Sequence, residues 1–495
     1  MFLNRLTTDT LPTLQSGVEL PQYCREDTHC AIVHLGVGAF HRGHQAWYTE
    51  QVMNQFGGNW GIVGASLRSS QVQQQLTPQD GLYSLVVRDS DQQSVQVIGA
   101  LQKVIVAPQE PQALLAQLSS EATQLVTLTI TEKGYCYDFS AQDLDFNHAD
   151  IVSDLASYPE QVVSAVGFLV AALDQRCQQQ RPLTIISCDN LPANGKLLKQ
   201  VVLSFAERVN SSLVEWIEEF VSFPCSMVDR IVPATTELDV KALQKTLNLD
   251  DQAAVFTELF SQWVIENNFK TQVPAWDKVG ALFVDDVIPF EEMKLRLLNG
   301  SHSIIAYLGD LAGYDYVHEV MADSRFTHLI RRYMDDVAGV TLKIPDSFDL
   351  SAYKDLLLKR FSNSSLNHKT SQIAQDGSQK IPQRWLSVAR ENFQHGRDSR
   401  LLALAIAGWI KYLQGRRDSG ENYAVVDPLS ETFSELTTRL SDSETLVTAV
   451  LNVESVFSGI AQEIPEMVDW VVYWHKALHA DGCLNTLNFY CENTQ

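Results

Sequence analysis

A run of apolar, β-branched residues ending at two closely spaced glycines constrains this chain more than any other feature. Cys30-Ala31-Ile32-Val33-His34-Leu35 reads as a buried strand, Gly36-Val37-Gly38 interrupts it, and Ala39 to Phe56 follows with helical periodicity. Gly57-Gly58-Asn59 closes the helix and Trp60 to Leu67 supplies a second strand, so the whole is a βαβ unit. Further strands are expected at Tyr83 to Val87, Gln96 to Ile98, Leu125 to Ile130 and Leu183 to Ser187, with helices between several of them. That alternation fits a mostly parallel sheet with insertions. After about residue 285 the character changes. Phe290 to Leu311, Phe326 to Val337, Leu350 to Phe361, Ile381 to Asn392, Ser399 to Gln414 and Glu444 to Phe457 read as amphipathic or buried helices, without a strand series. A chain of 495 residues exceeds one ordinary core. The expected plan is an α/β domain over residues 1–285 and a mostly α-helical domain over residues 286–495.

A strand, a G-x-G turn and a helix in that order suit a dinucleotide. The first glycine permits the turn, the second lets the backbone approach a pyrophosphate, and helix N–H groups meet its charge. The full fingerprint has a third glycine where this chain has His41, and a bare G-x-G also occurs as a plain turn. The second strand runs into Leu67-Arg68-Ser69-Ser70, without the acidic residue that holds the ribose 2′-hydroxyl of NAD. Arg68 would favour a 2′-phosphate instead, so beside the expected NAD this motif leaves NADP open.

A second constellation is Glu291-Glu292-Met293-Lys294-Leu295-Arg296-Leu297-Leu298-Asn299-Gly300-Ser301-His302, which sets a lysine, an asparagine and a histidine in one helical pattern. At roughly 100° per residue, Lys294 and His302 fall about 80° apart, and Glu291, Lys294, Leu298 and His302 share a face. Such a trio moves a proton at a carbonyl without a metal. Gly300 costs this helix about 1 kcal/mol relative to alanine, which implies that something approaches the backbone there. Lys294 falls just beyond the expected domain junction, and such junctions favour small-molecule sites.

Composition narrows the partners. A formal charge of −23 argues against a nucleic-acid or anionic-membrane surface, so an anionic small substrate would need a local basic pocket. The longest apolar stretches, such as Leu401 to Ile410, fall well short of the roughly 20 residues that span a bilayer. The start lacks the pattern of a signal peptide, which points to the cytoplasm. The eight cysteines include no C-x-x-C pair, and His41 with His44 lacks a third ligand placed by motif, so no metal site is expected. Oligomeric state stays open, a monomer included.

Several motifs in order resemble the long-chain mannitol dehydrogenase family: Val33 to His44, Thr131-Glu132-Lys133-Gly134-Tyr135, Ser187-Cys188-Asp189-Asn190, Met227 to Pro233, Lys294 to His302, and Asp376-Gly377-Ser378-Gln379-Lys380. The likeness runs from about residue 30 to 430. It implies a Rossmann-type N-terminal domain, a mostly α-helical C-terminal domain, a nicotinamide cofactor and no metal. It also implies cofactor contacts along Ile32, Val33, His34, Leu35, Gly36, Val37, Gly38, Ala39, Phe40, His41, Arg42 and Gly43.

By the same resemblance Lys294 is the general acid that protonates a carbonyl oxygen as hydride arrives, and the base in reverse. A lysine near its ordinary pKa of about 10.4 is a poor base at neutral pH, so burial or a cationic neighbour should lower it. Asn190 and Asn299 would donate to the developing alkoxide, a kind of contact worth about 2.7–4 kcal/mol. His302, Asp229 and Lys380 would hold substrate hydroxyls, and Glu291 would pass protons to water. Polyol-oxidising relatives carry an arginine where this chain has Gln372, which shifts the expected substrate to a sugar acid, D-fructuronate reduced to D-mannonate in hexuronate breakdown. Lys133, His368 or Lys369 would then meet its carboxylate. The rivals are a mannitol or other polyol dehydrogenase of the same family, and a dinucleotide-binding sensor without catalysis.

Overall fold

The computed structural model describes residues 3–89, 92–346 and 348–493. Two compact units divide the chain, the first ending at Ile288 and the second beginning at Pro289.

Six strands of the first unit form one parallel sheet: β1 (Cys30–Leu35), β2 (Gly61–Ser66), β3 (Leu101–Val106), β4 (Leu125–Leu128), β5 (Leu183–Ser187) and β6 (Val221–Ser222). Their spatial order is β6-β5-β4-β1-β2-β3, the Rossmann order, in which the winding reverses between β1 and β4. Parallel strands covered on both faces read as unbroken apolar runs, and β1, β2, β4 and β5 are buried along nearly their whole length. Alternate side chains serve two cores. Val33 and Leu35 pack with Phe168, Leu169 and Phe205, whereas Ile32 packs with Tyr48, Trp263 and Trp276.

The register levels the carboxyl ends of the strands. Leu35 stands opposite both Ala65 and Leu128, and Leu128 opposite Ser187. The chain therefore leaves β1, β2, β4 and β5 along one edge, releasing Gly36, Leu67, Thr129 and Cys188 side by side.

Two expectations are corrected here. The helix expected over Ala39 to Phe56 is two helices, Ala39–Gly43 and Gln45–Phe56, broken at His44 (φ −128°, ψ −86°). The His44 ring lies against Trp263 and its Nε2 sits 3.0 Å from the Gln262 carbonyl oxygen, a tertiary anchor that periodicity cannot report. The expected strands at 83–87 and 96–98 exist as Tyr83–Asp89 and Gln92–Ile98 but pair antiparallel in a separate four-stranded sheet with Val18–Glu19 and Val255–Glu258. They lie too close in sequence for the crossover that parallel pairing requires.

The second unit is helical; among its described residues only isolated bridges interrupt that rule. Gly300–Leu311 and Arg400–Tyr412 are buried almost all round, as expected for helices apolar on every face. Residues 465–493, a helical region not expected from the sequence, form two helices separated at Gly482 (φ 75°, ψ 170°). Among the described residues, π-helical stretches occur at Lys294–Asn299, Tyr333–Ala338 and Pro382–Leu386. Among the described residues, no helix is long and apolar enough to cross a membrane.

Candidate active site

At the level edge of the Rossmann sheet the turn after β1 has φ 94° at Gly36, where a Cβ would stand 2.1 Å from the Thr129 carbonyl oxygen. No side chain fits there, so glycine is dictated by the fold. Gly38 differs: the nearest atom to an added Cβ is 4.0 Å away, and the residue is exposed. Its backbone opens onto a cavity of about 290 Å³ lined by Gly36, Gly38, Arg68, Thr131, Asp150 and Ser164 among others. An open glycine backbone beside such a cavity fits the approach of a dinucleotide's pyrophosphate.

The rest of the predicted run supports this turn from beneath. Ile32, Val33, His34 and Leu35 are buried in the sheet. The His34 ring nitrogens lie 2.7 Å from Thr127 Oγ1 and 2.8 Å from Thr129 Oγ1, and Nε2 is 3.1 Å from the Gly36 carbonyl oxygen. His41 stacks on His34 at 3.4 Å and 14°. The missing third glycine is thereby explained, since its task is close helix-to-strand packing and two flat rings achieve it here. Burial pushes the His34 pKa down to about 3 and holds His41 well below its ordinary value, so the stacked pair is uncharged at neutral pH. Arg42 turns inward to the Ala253 carbonyl and the Tyr83 ring. Ala39, Phe40 and Gly43, like His41 and Arg42, are not among the cavity's lining residues. Arg68 does line the cavity, but its Nη2 is paired with Asp150 Oδ2 at 2.7 Å.

The motifs around Lys133 and Asn190 are joined through Asp189. Its carboxylate accepts from the backbone N–H groups of Ile130 and Thr131 at 2.9 and 3.0 Å and from Tyr135 Oη at 2.7 Å. This clasp ties the ends of β4 and β5 together and sets Asn190, exposed, at the same edge as the glycine turn. Lys133 is exposed on the turn Glu132–Tyr135. Asp229 ends the buried strand Ser226–Asp229.

In the second unit Lys294 opens the π-helical stretch, and Gly300 N–H reaches the Leu295 carbonyl oxygen, five residues back. A π turn holds one residue more than an α turn, so side chains beyond it rotate by up to about 100° relative to the α-helical wheel. The face expected from that wheel is corrected accordingly. Leu298 is buried with Arg296 and Leu297, whereas Glu291, Lys294, Asn299 and His302 are half-buried. Side chains from the other two π stretches donate to carbonyls of this one and of Gly300, which follows it. Tyr333 Oη donates to Arg296 O at 2.9 Å, Arg384 Nη1 to Asn299 O at 3.1 Å and Trp385 Nε1 to Gly300 O at 3.2 Å. A Cβ on Gly300 would stand 2.2 Å from Tyr333 Oη, which identifies the group that approaches the backbone at this glycine.

Positive charge gathers around His302. Its ring is 5.4 Å from that of His368 and 4.7 Å from that of Phe361. Burial, then His368, Arg384, Arg360 and Lys380, hold its pKa well below the ordinary histidine value, so it is neutral at pH 7. Lys380 Nζ donates to the carbonyl oxygens of Ile373 and Gln375 at 3.2 and 2.6 Å, and burial with Arg384 lowers its pKa. The chain's overall charge of −23 thus conceals a local basic cluster. Lys369 and Gln372 are exposed, as their neighbouring helix Thr370–Ile373 begins. Sequence reasoning found His302, His368 and Lys380 but missed Arg384 and Arg360; Arg384 follows Lys380 by one helical turn, a spacing that was open to view. It also missed Asp150 and Tyr333, which no local spacing marks.

Two family descriptions cover this architecture. The Mannitol dehydrogenase Rossmann domain matches residues 30–278, and the Mannitol dehydrogenase C-terminal domain matches residues 286–479. The chain belongs to the mannitol dehydrogenase family and is an oxidoreductase acting on CH–OH groups. It is 43% identical over 492 residues to the uncharacterized oxidoreductase YeiQ of Escherichia coli strain K12, covering 98% of this chain and 100% of that protein. It is 40% identical over 459 residues to D-mannonate oxidoreductase of the same strain, covering 92% and 93%. Among solved structures it resembles Pseudomonas fluorescens mannitol 2-dehydrogenase in a ternary complex with NAD and D-mannitol, with a TM-score of 0.83, 38% identity and 99% of both chains covered.

Proposed function

We propose that this protein reduces D-fructuronate to D-mannonate, reversibly and without a metal, with NADH. The observation that carries the sugar-acid reading is Arg384, a buried cation that bears electrostatically on His302 in a chain otherwise strongly acidic. A carboxylate withdrawn from water needs such a charge partner, and a polyol does not. The likeness to D-mannonate oxidoreductase and the presence of Gln372 support the same reading. A bound nicotinamide cofactor would supply the hydride for the carbonyl carbon, and accept it in the reverse direction.

The chain's own residues manage the oxygen and its proton. The Lys294 ammonium gives its proton to the carbonyl oxygen as negative charge develops there, and Asn190 and Asn299 donate hydrogen bonds to that oxygen. Glu291 returns a proton to Lys294 from water. Asp229, His302 and Lys380 hold hydroxyls, with His302 acting as a neutral partner. Lys133, His368 and Lys369 remain the predicted contacts for the carboxylate, now joined by Arg384. We assign residues 1–285 to a dinucleotide-binding domain that also supplies Asn190, Asp229 and Lys133, and residues 286–495 to the helical domain that supplies the acid and most of the substrate contacts. A cytoplasmic location would give the enzyme access to NADH.

Turnover of NADH with fructuronate, tagaturonate, fructose and fructose 6-phosphate tests the substrate. Fructuronate should be reduced fastest; a preference for fructose would favour the mannitol-type alternative, in line with the mannitol 2-dehydrogenase likeness. Lys294→Ala should lower turnover by about 10²–10⁴, the usual worth of a general acid, with cofactor affinity unchanged. Full activity in that variant would dismiss the assigned acid, and wild-type binding without turnover of any sugar would favour the sensor.

A further inference from the structure

We propose that Asp150 is the residue by which this protein selects NAD over NADP, and that it does so while neutralising Arg68. The inference rests on the reading that the first unit binds a nicotinamide dinucleotide. In Rossmann domains an acidic residue near the end of the second strand accepts from the ribose 2′-hydroxyl, and an arginine nearby accommodates a 2′-phosphate. The sequence after β2 offers only the arginine, in Leu67-Arg68-Ser69-Ser70.

Folding brings the missing carboxylate from elsewhere. Asp150 stands in the first turn of the helix Ala149–Ser157, 82 positions from Arg68, and the two side chains meet at 2.7 Å. Both line the cavity that also holds Gly36, Gly38 and the β2 end, Ser66 to Ser69. The members of the pair are not equally fixed. The Arg68 side chain is 76% exposed and that of Asp150 22%. A carboxylate in the first turn of a helix also sits where the helix dipole favours it. An exposed ion pair holds a flexible arginine only loosely, so Asp150 is the group whose position defines the subsite.

The consequences for the two cofactors are opposite. A ribose hydroxyl reaching this point donates to the Asp150 carboxylate and leaves the Arg68 pair in place. A 2′-phosphate brings close to two negative charges against that carboxylate and must first draw Arg68 away from it. Removing the Asp150 charge releases Arg68 as a phosphate partner and abolishes the repulsion together. The chain therefore carries an NADP-type arginine held in check by one distant aspartate.

Fluorescence titration of NADH and NADPH against the purified protein reads this directly, without turnover. The wild type should bind NADH at least about tenfold more tightly than NADPH, a difference of about 1.4 kcal/mol. Asp150→Asn, with Asp150→Ser made alongside as a second probe, should cut that ratio by about tenfold or more, chiefly by tightening NADPH. Arg68→Ala alone should bind NADPH no tighter than the wild type, because the Asp150 carboxylate remains. The Asp150→Asn/Arg68→Ala double variant should lose the NADPH gain. An unchanged ratio in folded Asp150 variants, or a wild type that prefers NADPH, would overturn the proposal. A folded wild type that binds neither nucleotide would instead remove the dinucleotide reading beneath it.

Discussion

Two glycines two positions apart have different physical obligations, and single substitutions separate them. Gly36 combines φ 94° with a Cβ position 2.1 Å from a backbone oxygen, so Gly36→Ala should destabilise the first unit by about 2 kcal/mol or more through strain and displacement of β4. Gly38 has room for a methyl group within the protein. Gly38→Ala should therefore leave the Tm within a degree or two, about 0.5 kcal/mol or less, while weakening NADH binding because its methyl enters the cavity. Thermal unfolding and a binding titration on both variants decide; equal losses of stability would show that Gly38 serves the fold rather than the ligand. Both residues were legible as a motif, since strand, turn and glycine are adjacent in sequence. Asp150 was not, because its partner lies 82 positions away and neither residue carries a local signature of the other.

At the scale of the element, the π-helical turn is what distinguishes the lysine helix from the one read off the sequence. Apolar spacing located a helix over 290–311 and marked Lys294, Asn299 and His302, but a wheel of constant pitch cannot show an inserted residue. The turn is held by donors from other helices, foremost Tyr333 Oη on the Arg296 carbonyl across Gly300. Gly300→Ala should gain about 1 kcal/mol in helix propensity and lose about 1–3 kcal/mol to the collision with Tyr333, for a net loss of stability and of turnover. Tyr333→Phe removes the colliding oxygen at a cost of about 1 kcal/mol for its hydrogen bond. Gly300→Ala/Tyr333→Phe should thus be more active and more stable than Gly300→Ala alone, as kcat and melting curves would reveal; strictly additive losses would contradict a direct clash. The break at His44 teaches the same lesson in the first unit, where a ring seated on Trp263 ends a helix that periodicity continues.

For the whole molecule, buried titratable groups set opposing dependences of stability on pH. His34, His41, His302 and His475 have folded pKa values depressed by burial, His34 and His475 to about 3. Their unfolded counterparts take up protons near 6.5, so their stabilising contribution is complete above that pH and is lost as pH falls below it, for His34 and His475 down to about 3. Glu50 acts in the other direction. It is buried, accepts from Tyr23 Oη and the N–H groups of Gly99 and Ala100, and burial raises its pKa to about 7. Its contribution is present below about 4.5 and lost as pH rises through about 7. Removing the Glu50 contribution leaves the histidines less opposed, so the Tm of Glu50→Gln should fall more steeply between pH 7 and pH 5 than that of the wild type; a shallower fall in that variant would refute the assignment of Glu50. The sequence by itself determined the αβ order, the glycine turn, the family and the lysine, asparagine and histidine of the second unit, because each is encoded by residues within a few turns of one another. Tertiary structure alone decided the sheet order, the stacked His34 and His41, the carboxylate that meets Arg68, and the cations that meet His302. Those depend on which distant segments the chain brings into contact, and contact between distant segments leaves no periodic trace in the sequence.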